Sequence, residues 1–181
     1  MTTRQDSRPG IDELVKALSG FRYSLFRLET LQRYSGSSED EALAEWRRSG
    51  TVTPTEELRQ WCAHIQRRVR DGCRAQRVHV VTEPLTDYMR FELASYAPNV
   101  EAGEEVRVIP VPPNGEWPAD VPSGSDFWLI DARQLWSMRY APDGAWLEAE
   151  PVTDVQRIVD ACAIRDAALA QSRPWRDYHP R

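Results

Sequence analysis

One carboxylate lies where a helix is expected to bury an apolar residue. The spacing of apolar residues predicts a helix at about 86–97, and residues three and four apart on a helix share one face. The other residues on the face of Glu92 are Leu85, Tyr88, Met89, Leu93 and Tyr96. Burying an unpaired carboxylate is costly. We therefore expect Arg77 on the preceding strand, or Arg107 on the following one, to pair with Glu92.

Glu92 has a structural and a functional interpretation. In the structural one, an Arg–Glu pair fixes how the helix lies on the sheet. In the functional one, the carboxylate lies in a pocket where its pKa is tuned for binding or proton transfer. We favour the structural interpretation, because structural ion pairs perturb pKa values as well.

Asp126 and Asp131 flank the apolar stretch FWLI. Asp131 ends a predicted strand, where an aspartate commonly accepts hydrogen bonds from nearby backbone N–H groups in a turn. We favour that interpretation. The alternative is an acidic cluster with Glu104 and Glu105 that binds a divalent metal ion, although the spacing matches no known metal-binding loop.

A second group of polar residues lies along and just after the same predicted helix. It contains Tyr88, Arg90, Tyr96 and Asn99. Arg90 is on a different face from Glu92 and is expected to be solvated or to contact a partner. Asn99 suits a turn after the helix. The group either ends the helix or forms the polar rim of a ligand pocket, and the sequence does not separate these two interpretations.

Metal-binding and catalytic motifs are missing from the sequence. The residues Cys62, His64, Cys73 and His79 lack metal-ligand spacing, and there is no C-x-x-C pair. Neither a G-x-S-x-G nucleophile elbow nor a glycine-rich phosphate loop is present. Lys16 is the only lysine, which restricts any mechanism that needs an ammonium group. We expect no metal and no cofactor.

Two tryptophans, Trp117 and Trp175, occur in polar, proline-rich surroundings. Most of the other tryptophans lie in apolar patterns and are expected in the core. Because tryptophan is enriched among the residues that dominate protein interfaces, Trp117 and Trp175 are candidate contacts for a partner protein.

The one basic run, RRVRDGCRAQR at 67–77, has two interpretations. It is a solvated helix end, where cations interact favourably with the helix dipole, or a surface that contacts phosphate. The net charge of −5 argues against a dedicated nucleic-acid-binding protein.

Compartment and domain number follow from composition. The chain has 181 residues, enough for one domain with a core plus an extension. Its three cysteines form no disulfide framework, and no signal peptide or membrane span is evident. We expect a cytoplasmic protein with reduced thiols and no membrane association.

Four segments are predicted. Residues 1–20 form a flexible arm and the start of a first helix, and residues 21–75 form an N-terminal helical region. A capping box at Ser38 predicts one helix there. Thr53 is expected to cap another, which Gly72 ends. Within this region 24–34 could begin as a strand or a helix.

Residues 76–172 are predicted to form an α/β domain. The order is a strand at 77–81, the helix containing Glu92, a strand EVRVIPV, a loop and three further strands. The last two strands form a hairpin around 142–144. Asp154 caps a final helix, and residues 173–181 form an extended tail. The predicted fold class is α/β (α+β), with a mixed sheet and helices packed on it.

Three stretches carry a family resemblance: FRLETLQRY, PLTDYMRFELASYAPNVEAGEEVRV and DFWLIDARQLWSMRYAPDG. They resemble an uncharacterised domain family of actinomycetes, often encoded beside helix-turn-helix regulators of the Xre type. The resemblance covers roughly residues 20–172. It implies a regulatory partner and no established activity.

The α/β part also resembles one half of a phospholipase D-like domain. Active members carry His-x-Lys followed by an aspartate, and that signature is absent here. The resemblance therefore implies a binding role rather than a phosphodiesterase. By analogy with two-halved relatives, a homodimer is possible.

The sequence favours a non-catalytic regulatory or interaction module that binds a partner protein. A helix-turn-helix regulator is the candidate partner, and a small ligand is a candidate control. The first alternative is an enzyme acting on small molecules or nucleotides through Arg77, Glu92, Arg107 and Asp131. The second is nucleic-acid binding through residues 67–77.

Overall fold

A computed structural model describes residues 10–180, apart from the side chain of Ser37. Within them the chain forms a seven-stranded mixed sheet, with strand order β6-β5-β4-β1-β2-β3-β7. The strands are β1 Ser24–Glu29, β2 Arg74–Thr82, β3 Glu105–Val111, β4 Asp126–Ile130, β5 Gln134–Tyr140, β6 Trp146–Val152 and β7 Arg173–Pro174. Strands β1, β2 and β3 are parallel, and the other pairings are antiparallel. The predicted mixed sheet is confirmed.

Helices cover this sheet. They are α1 Ile11–Ser19, α2 Ser37–Ser49, α3 Glu56–Arg70, α4 Asp87–Ser95, α5 Ala97–Glu101 and α6 Val155–Gln171, followed by a 3-10 turn at Trp175–Asp177. Along the part of the chain that the structure describes, no helix combines the length and apolar character needed to cross a membrane.

The N-terminal region is not purely helical. Residues 24–29 form β1, which pairs with β2 on one side and β4 on the other. Its residues are buried after Ser24, so both faces of this strand are covered, and such strands lack a clear polar–apolar alternation. The segments predicted as a helical region and an α/β domain therefore share one sheet. Of the predicted arm, residues 1–9 lie outside the described part.

The tail is more ordered in the structure than the predicted extended segment. Residues Arg173–Pro174 pair with β3 at the edge of the sheet, and a 3-10 turn follows. Tyr178 is buried near the end. The C-terminal residues therefore belong to the packed structure of the domain.

Two of the predicted helix ends differ by a few residues. Thr55, rather than Thr53, caps α3 by accepting a hydrogen bond from the Leu58 N–H at 3.2 Å. The helix predicted from Ser38 begins at Ser37 after Gly36. The cap at Asp154 is confirmed by its hydrogen bond from the Arg157 N–H, at 3.0 Å.

The two faces of the sheet differ in chemistry. On one face α6 packs on a cluster that includes Phe26, Leu28, Val78 and Val80. Side chains alternate between faces along a strand. The intervening residues of β1 and β2 therefore point to the opposite face, and they include the polar residues Arg27, Glu29, Arg77 and His79.

Candidate functional site

The polar residues of β1 and β2 meet because the two strands are parallel and in register. Arg27 lies beside Arg77, and Glu29 lies beside His79. Arg27, Glu29 and His79 are buried, so each charge needs a nearby partner. Together with the groups that bind them, these four residues form what we call the Glu29 network.

Glu29 is the centre of this network. Its Oε1 and Oε2 accept hydrogen bonds from Nη1 of Arg77 at 3.0 and 2.9 Å, and Oε1 also faces Nε of Arg27 at 3.3 Å. The hydroxyl of Tyr96 donates to Oε2 at 3.2 Å. Burial opposes ionisation, but Arg77 and Arg27 outweigh it and hold the pKa of Glu29 well below its usual range. The carboxyl therefore stays charged in the folded protein.

Arg77 connects the sheet to the segment that follows α4. Its Nε donates to Glu104 at 2.8 Å, and the amide of Asn99 donates to the other oxygen of Glu104 at 2.7 Å. The guanidinium lies 5.4 Å from the ring centroid of Tyr96. The prediction that Arg77 pairs with Glu92 is therefore wrong, because Glu29 and Glu104 occupy its donors. Asn99 is a buried link in this network and not a rim residue.

Arg107 lies away from Glu92, at the edge of the sheet. Its Nε donates to the Ser172 hydroxyl and its Nη2 to the Ser172 carbonyl, both at 2.7 Å, and its Nη1 pairs with Glu105 at 3.1 Å. Arg107 thus holds the start of β7 on β3. The expectation of an Arg107–Glu92 pair is also wrong, and with it the pocket that would have joined Arg77, Glu92, Arg107 and Asp131.

Glu92 instead shares a tyrosine with a second carboxyl. The hydroxyl of Tyr88 lies 3.3 Å from Glu92 and also donates to Glu39 on α2. Glu92 is half-buried. Burial first, and then the charges of Glu29 and Glu39, raise the pKa of Glu92 to about 8. At neutral pH this carboxyl is therefore largely protonated.

His79 is fully buried beside Glu29. Its Nε2 lies 2.9 Å from the carbonyl oxygen of Leu31, and its Nδ1 lies 2.7 Å from the hydroxyl of Tyr96. A carbonyl only accepts, so Nε2 carries the proton. Burial lowers the pKa of His79, which keeps the ring neutral and leaves an Nδ1 lone pair directed toward the network.

The two predicted aspartates have separate roles. Asp126 is buried and accepts hydrogen bonds from the Thr30 backbone N–H and hydroxyl, both at 2.8 Å, and from Tyr34. Asp131 accepts from the backbone N–H groups of residues 22–24 at 2.7–3.1 Å. The turn role predicted for Asp131 agrees with these contacts. The acidic cluster of both aspartates with Glu104 and Glu105 is not formed.

Sequence reasoning missed Arg27 and Glu29, and it considered His79 only as a metal ligand, together with Cys62, His64 and Cys73. Only a short signal was present, because Arg27 and Glu29 alternate with Phe26 and Leu28, whereas apolar Leu25 falls on the same face as the two charged residues. His79 likewise falls inside the apolar run VHVV.

A second feature is a groove between α4 and the C-terminal residues 175–180, with a volume of about 580 Å³. We call it the C-terminal groove. Its floor is apolar and includes Trp46, Leu85, Leu93, Trp175 and Tyr178. Arg90, Arg176 and His179 also line it and are exposed. The structure thus brings together Arg90 and Trp175, which the sequence had suggested separately.

The C-terminal segment is anchored on α4 by its aromatic residues. The indole Nε1 of Trp175 donates to the Leu93 carbonyl at 2.9 Å, and the Tyr178 hydroxyl donates to Glu83 at 2.9 Å. Trp117, in contrast, packs on the α6 side, where its Nε1 donates to the Val121 carbonyl at 2.7 Å. Trp117 is therefore half-buried against the α6 side of the sheet and does not line this groove.

The basic run 67–77 is not one continuous surface. Arg77 is buried in the Glu29 network, and the guanidinium of Arg68 lies 5.0 Å from the ring centroid of Phe21. Arg67, Arg70 and Arg74 are exposed, the first two on α3 and the third on β2. The run therefore presents fewer cations to a nucleic acid than its sequence implies.

Comparison with known proteins gives one family match. The family model described as a domain of unknown function, DUF6879, matches residues 12–180. No curated protein matches the chain.

Proposed function

The chain belongs to the DUF6879 family, a domain of unknown function, and we propose that it is a non-catalytic binding module whose C-terminal groove takes up an acidic segment of a partner protein. The proposal rests on one observation: the groove combines an apolar floor with Arg90 and Arg176 at its edge. Tryptophan and arginine are the residue types that most often dominate binding energy at interfaces.

The cations of the groove have no partner within the domain. Among residues 10–180, Arg90 and Arg176 have neither an ion pair nor a side-chain hydrogen bond. Many other exposed arginines do, such as Arg59 with Glu56 and Arg139 with Glu148. The chain as a whole carries a net charge of −5. Arg90 and Arg176, in contrast, make the groove locally positive, which favours a negatively charged partner.

The floor of the groove supports an amphipathic segment rather than a bare anion. Trp46, Leu93 and Trp175 offer apolar contacts, which favour aromatic or aliphatic anchors on the partner. The volume of about 580 Å³ accommodates a few such side chains. The proposed occupant therefore carries apolar anchors flanked by aspartate or glutamate.

Two features favour binding over catalysis. Arg77 and Glu29 hydrogen-bond each other, and Glu29 is buried, so this pair does not present a charged group at the surface to an organic substrate. Lys16, the only lysine, lies exposed on α1, away from the strands on which a phospholipase D-like site would need it. If the chain contains a phospholipase D-like half domain, that half lacks the catalytic His-x-Lys motif.

The partner class follows from the family resemblance. Helix-turn-helix regulators of the Xre type are the candidates, with a small ligand as a further control. In this proposal the module recognises an acidic segment of such a regulator in the cytoplasm and does not itself contact DNA.

Selection of peptides tests the proposal without knowing the partner. A random peptide library is displayed and selected on the immobilised full chain. We expect enrichment of peptides that combine acidic residues with aromatic or aliphatic ones, and loss of their binding to the double variant Arg90→Glu/Arg176→Glu. Arg70 and Arg74, which are exposed and do not line the groove, supply a matched control pair for the same charge reversal. Enriched peptides that bind the groove variant as well as the wild type would refute the proposal.

A further inference from the structure

We propose that Glu29, His79 and Glu92 form a binding site for one divalent transition-metal ion. Each offers one ligand atom, and these atoms all lie within 4.8 Å of one another. They come from β1, β2 and α4, so the parallel register of the strands and the seating of the helix create the site. This inference is independent of the C-terminal groove.

His79 is oriented as metal-binding histidines commonly are. Such a histidine usually donates its other ring N–H to a carbonyl or carboxylate, which fixes the tautomer and the ring plane. Here Nε2 donates to the Leu31 carbonyl at 2.9 Å. The Nδ1 atom lies 3.8 Å from Oε2 of Glu29, a separation that a cation coordinated by both atoms would span.

The proposed ligand atoms Nδ1 of His79 and Oε2 of Glu29 are hydrogen-bonded in this structure, and metal binding exchanges some of these contacts. The Tyr96 hydroxyl, 2.7 Å from Nδ1, also lies 3.2 Å from Glu29. Binding of an ion at Nδ1 therefore displaces this hydroxyl from Nδ1. Nη1 of Arg77 contacts both oxygens of Glu29, Oε1 at 3.0 Å and Oε2 at 2.9 Å, and Nε of Arg27 contacts Oε1 at 3.3 Å. An ion at Oε2 therefore replaces one of the two Arg77 contacts, and Oε1 keeps a contact with each arginine.

The charge around the site favours a cation. Among the described residues that this hydrogen-bonded region joins, five carboxyl groups, those of Glu29, Glu39, Glu92, Glu104 and Asp126, face two guanidinium groups, those of Arg27 and Arg77. Buried charges are stable when they are paired or coordinate a metal. A divalent ion placed between Glu29 and Glu92 displaces the proton that Glu92 holds at neutral pH and pairs with both carboxylates.

The donor set selects the kind of ion. One imidazole nitrogen and two carboxylate oxygens suit Zn²⁺, Mn²⁺ or Fe²⁺, whereas Mg²⁺ and Ca²⁺ prefer oxygen alone. Three protein ligands leave at least one position for water. Glu92 is half-buried, so it provides the side from which the ion enters.

Calorimetric titration with Zn²⁺ and with Mn²⁺ tests the site on the full chain after treatment with a chelator. We expect one ion per chain, with Mg²⁺ binding more weakly than either. Glu92→Gln keeps the side-chain volume and the uncharged form, and we expect it to lower affinity at least about tenfold. Glu45→Gln, on the exposed surface of α2, is the matched control and should bind as the wild type does.

A second measurement uses only the wild-type chain. Bound Mn²⁺ broadens the NMR signals of nearby nuclei, and we expect this broadening at residues 29, 79 and 92 before that at Cys62 or Cys162. Absence of stoichiometric binding by every transition metal tested would overturn the inference. Binding that Glu92→Gln leaves unchanged, or broadening centred on the cysteines, would overturn it as well.

Discussion

Glu29 and Arg77 bind each other across the two parallel strands at the centre of the sheet, with Nη1 of Arg77 2.9 Å from Oε2 and 3.0 Å from Oε1. These residues are 48 positions apart in sequence. Glu92, on the inner face of α4, has no arginine partner because Arg77, which was expected to pair with it, is already bound by Glu29. Glu92 is left with tyrosine hydroxyls and a raised pKa.

Replacing Arg77 by methionine should strongly destabilise the domain. Glu29 and Glu104 would remain buried without their main partner, and removing one member of a buried ion pair costs about 3–5 kcal/mol. Urea unfolding of Arg77→Met and wild type measures the loss. Arg133→Met, which removes an exposed arginine 4.0 Å from Asp131, should cost below about 1 kcal/mol. Equal losses in the two variants would contradict a buried network.

Stability should fall as the pH rises through the neutral range, and Glu92 should cause part of that fall. Its folded pKa of about 8 lies above the ordinary carboxyl value, so the folded state holds a proton that the unfolded state has released between these values. The stabilisation is complete below the ordinary pKa and is lost as the pH rises toward 8.

Glu92→Gln isolates this contribution, since an amide mimics the protonated carboxyl at every pH. The groups facing Glu92 are Tyr88, Tyr96, Glu29, Glu39 and Arg77, and the variant leaves them in place. In chelator-containing buffer at pH 9, we expect the variant to be more stable than wild type by about 1–3 kcal/mol. At pH 5 the difference should nearly vanish. A constant difference across this range would show that Glu92 does not titrate as described.

Asp131 should be needed for the start of β1. Its carboxylate accepts from three consecutive backbone N–H groups, and its own φ of 53° lies in the left-handed region. Alanine removes the acceptors and tolerates that φ poorly, so Asp131→Ala should lose about 1–3 kcal/mol. Asp131→Asn, which keeps one carbonyl acceptor and accepts a positive φ more readily, should lose less. Thermal unfolding measures the stability of both variants. If Asp131→Asn were less stable than Asp131→Ala, this role would be refuted.

The two tryptophans proposed as partner contacts should behave differently. Trp175 lines the C-terminal groove and Trp117 packs against the α6 core. Both alanine variants should be less stable than wild type, by roughly 1–4 kcal/mol. At a temperature where both remain folded, only Trp175→Ala should lose affinity for a groove-selected acidic peptide. Equal loss of affinity in both variants would place binding elsewhere.

Local patterns predicted much of the fold. Strands β3 and β5 coincide with their predicted segments, and Asp154 caps α6 as expected. The segment 24–29 was ambiguous because β1 is buried on both faces, which removes the alternation that distinguishes a strand. A parallel pairing between β1 and β2 has no local signature either, since two helices separate these strands along the chain.

The candidate site was predictable only in part for the same reason. Glu92, Tyr88 and Tyr96 could be placed on one helical face from spacing alone. Their partners Glu29 and His79 depend on the register between β1 and β2, which spacing does not give. Arg90 and Trp175 meet only because residues 173–177 fold back beside β3 and α4.

The most direct test of the binding proposal is a reciprocal charge exchange at the C-terminal groove. The affinity of a selected acidic peptide is measured by calorimetry for wild type and for Arg90→Glu/Arg176→Glu, and again with the acidic residues of the peptide replaced by lysine. We expect the acidic peptide to lose at least about tenfold in affinity on the variant, and the lysine peptide to bind the variant better than the wild type. If the acidic peptide binds both proteins equally and the lysine peptide gains nothing, the groove is not the binding surface.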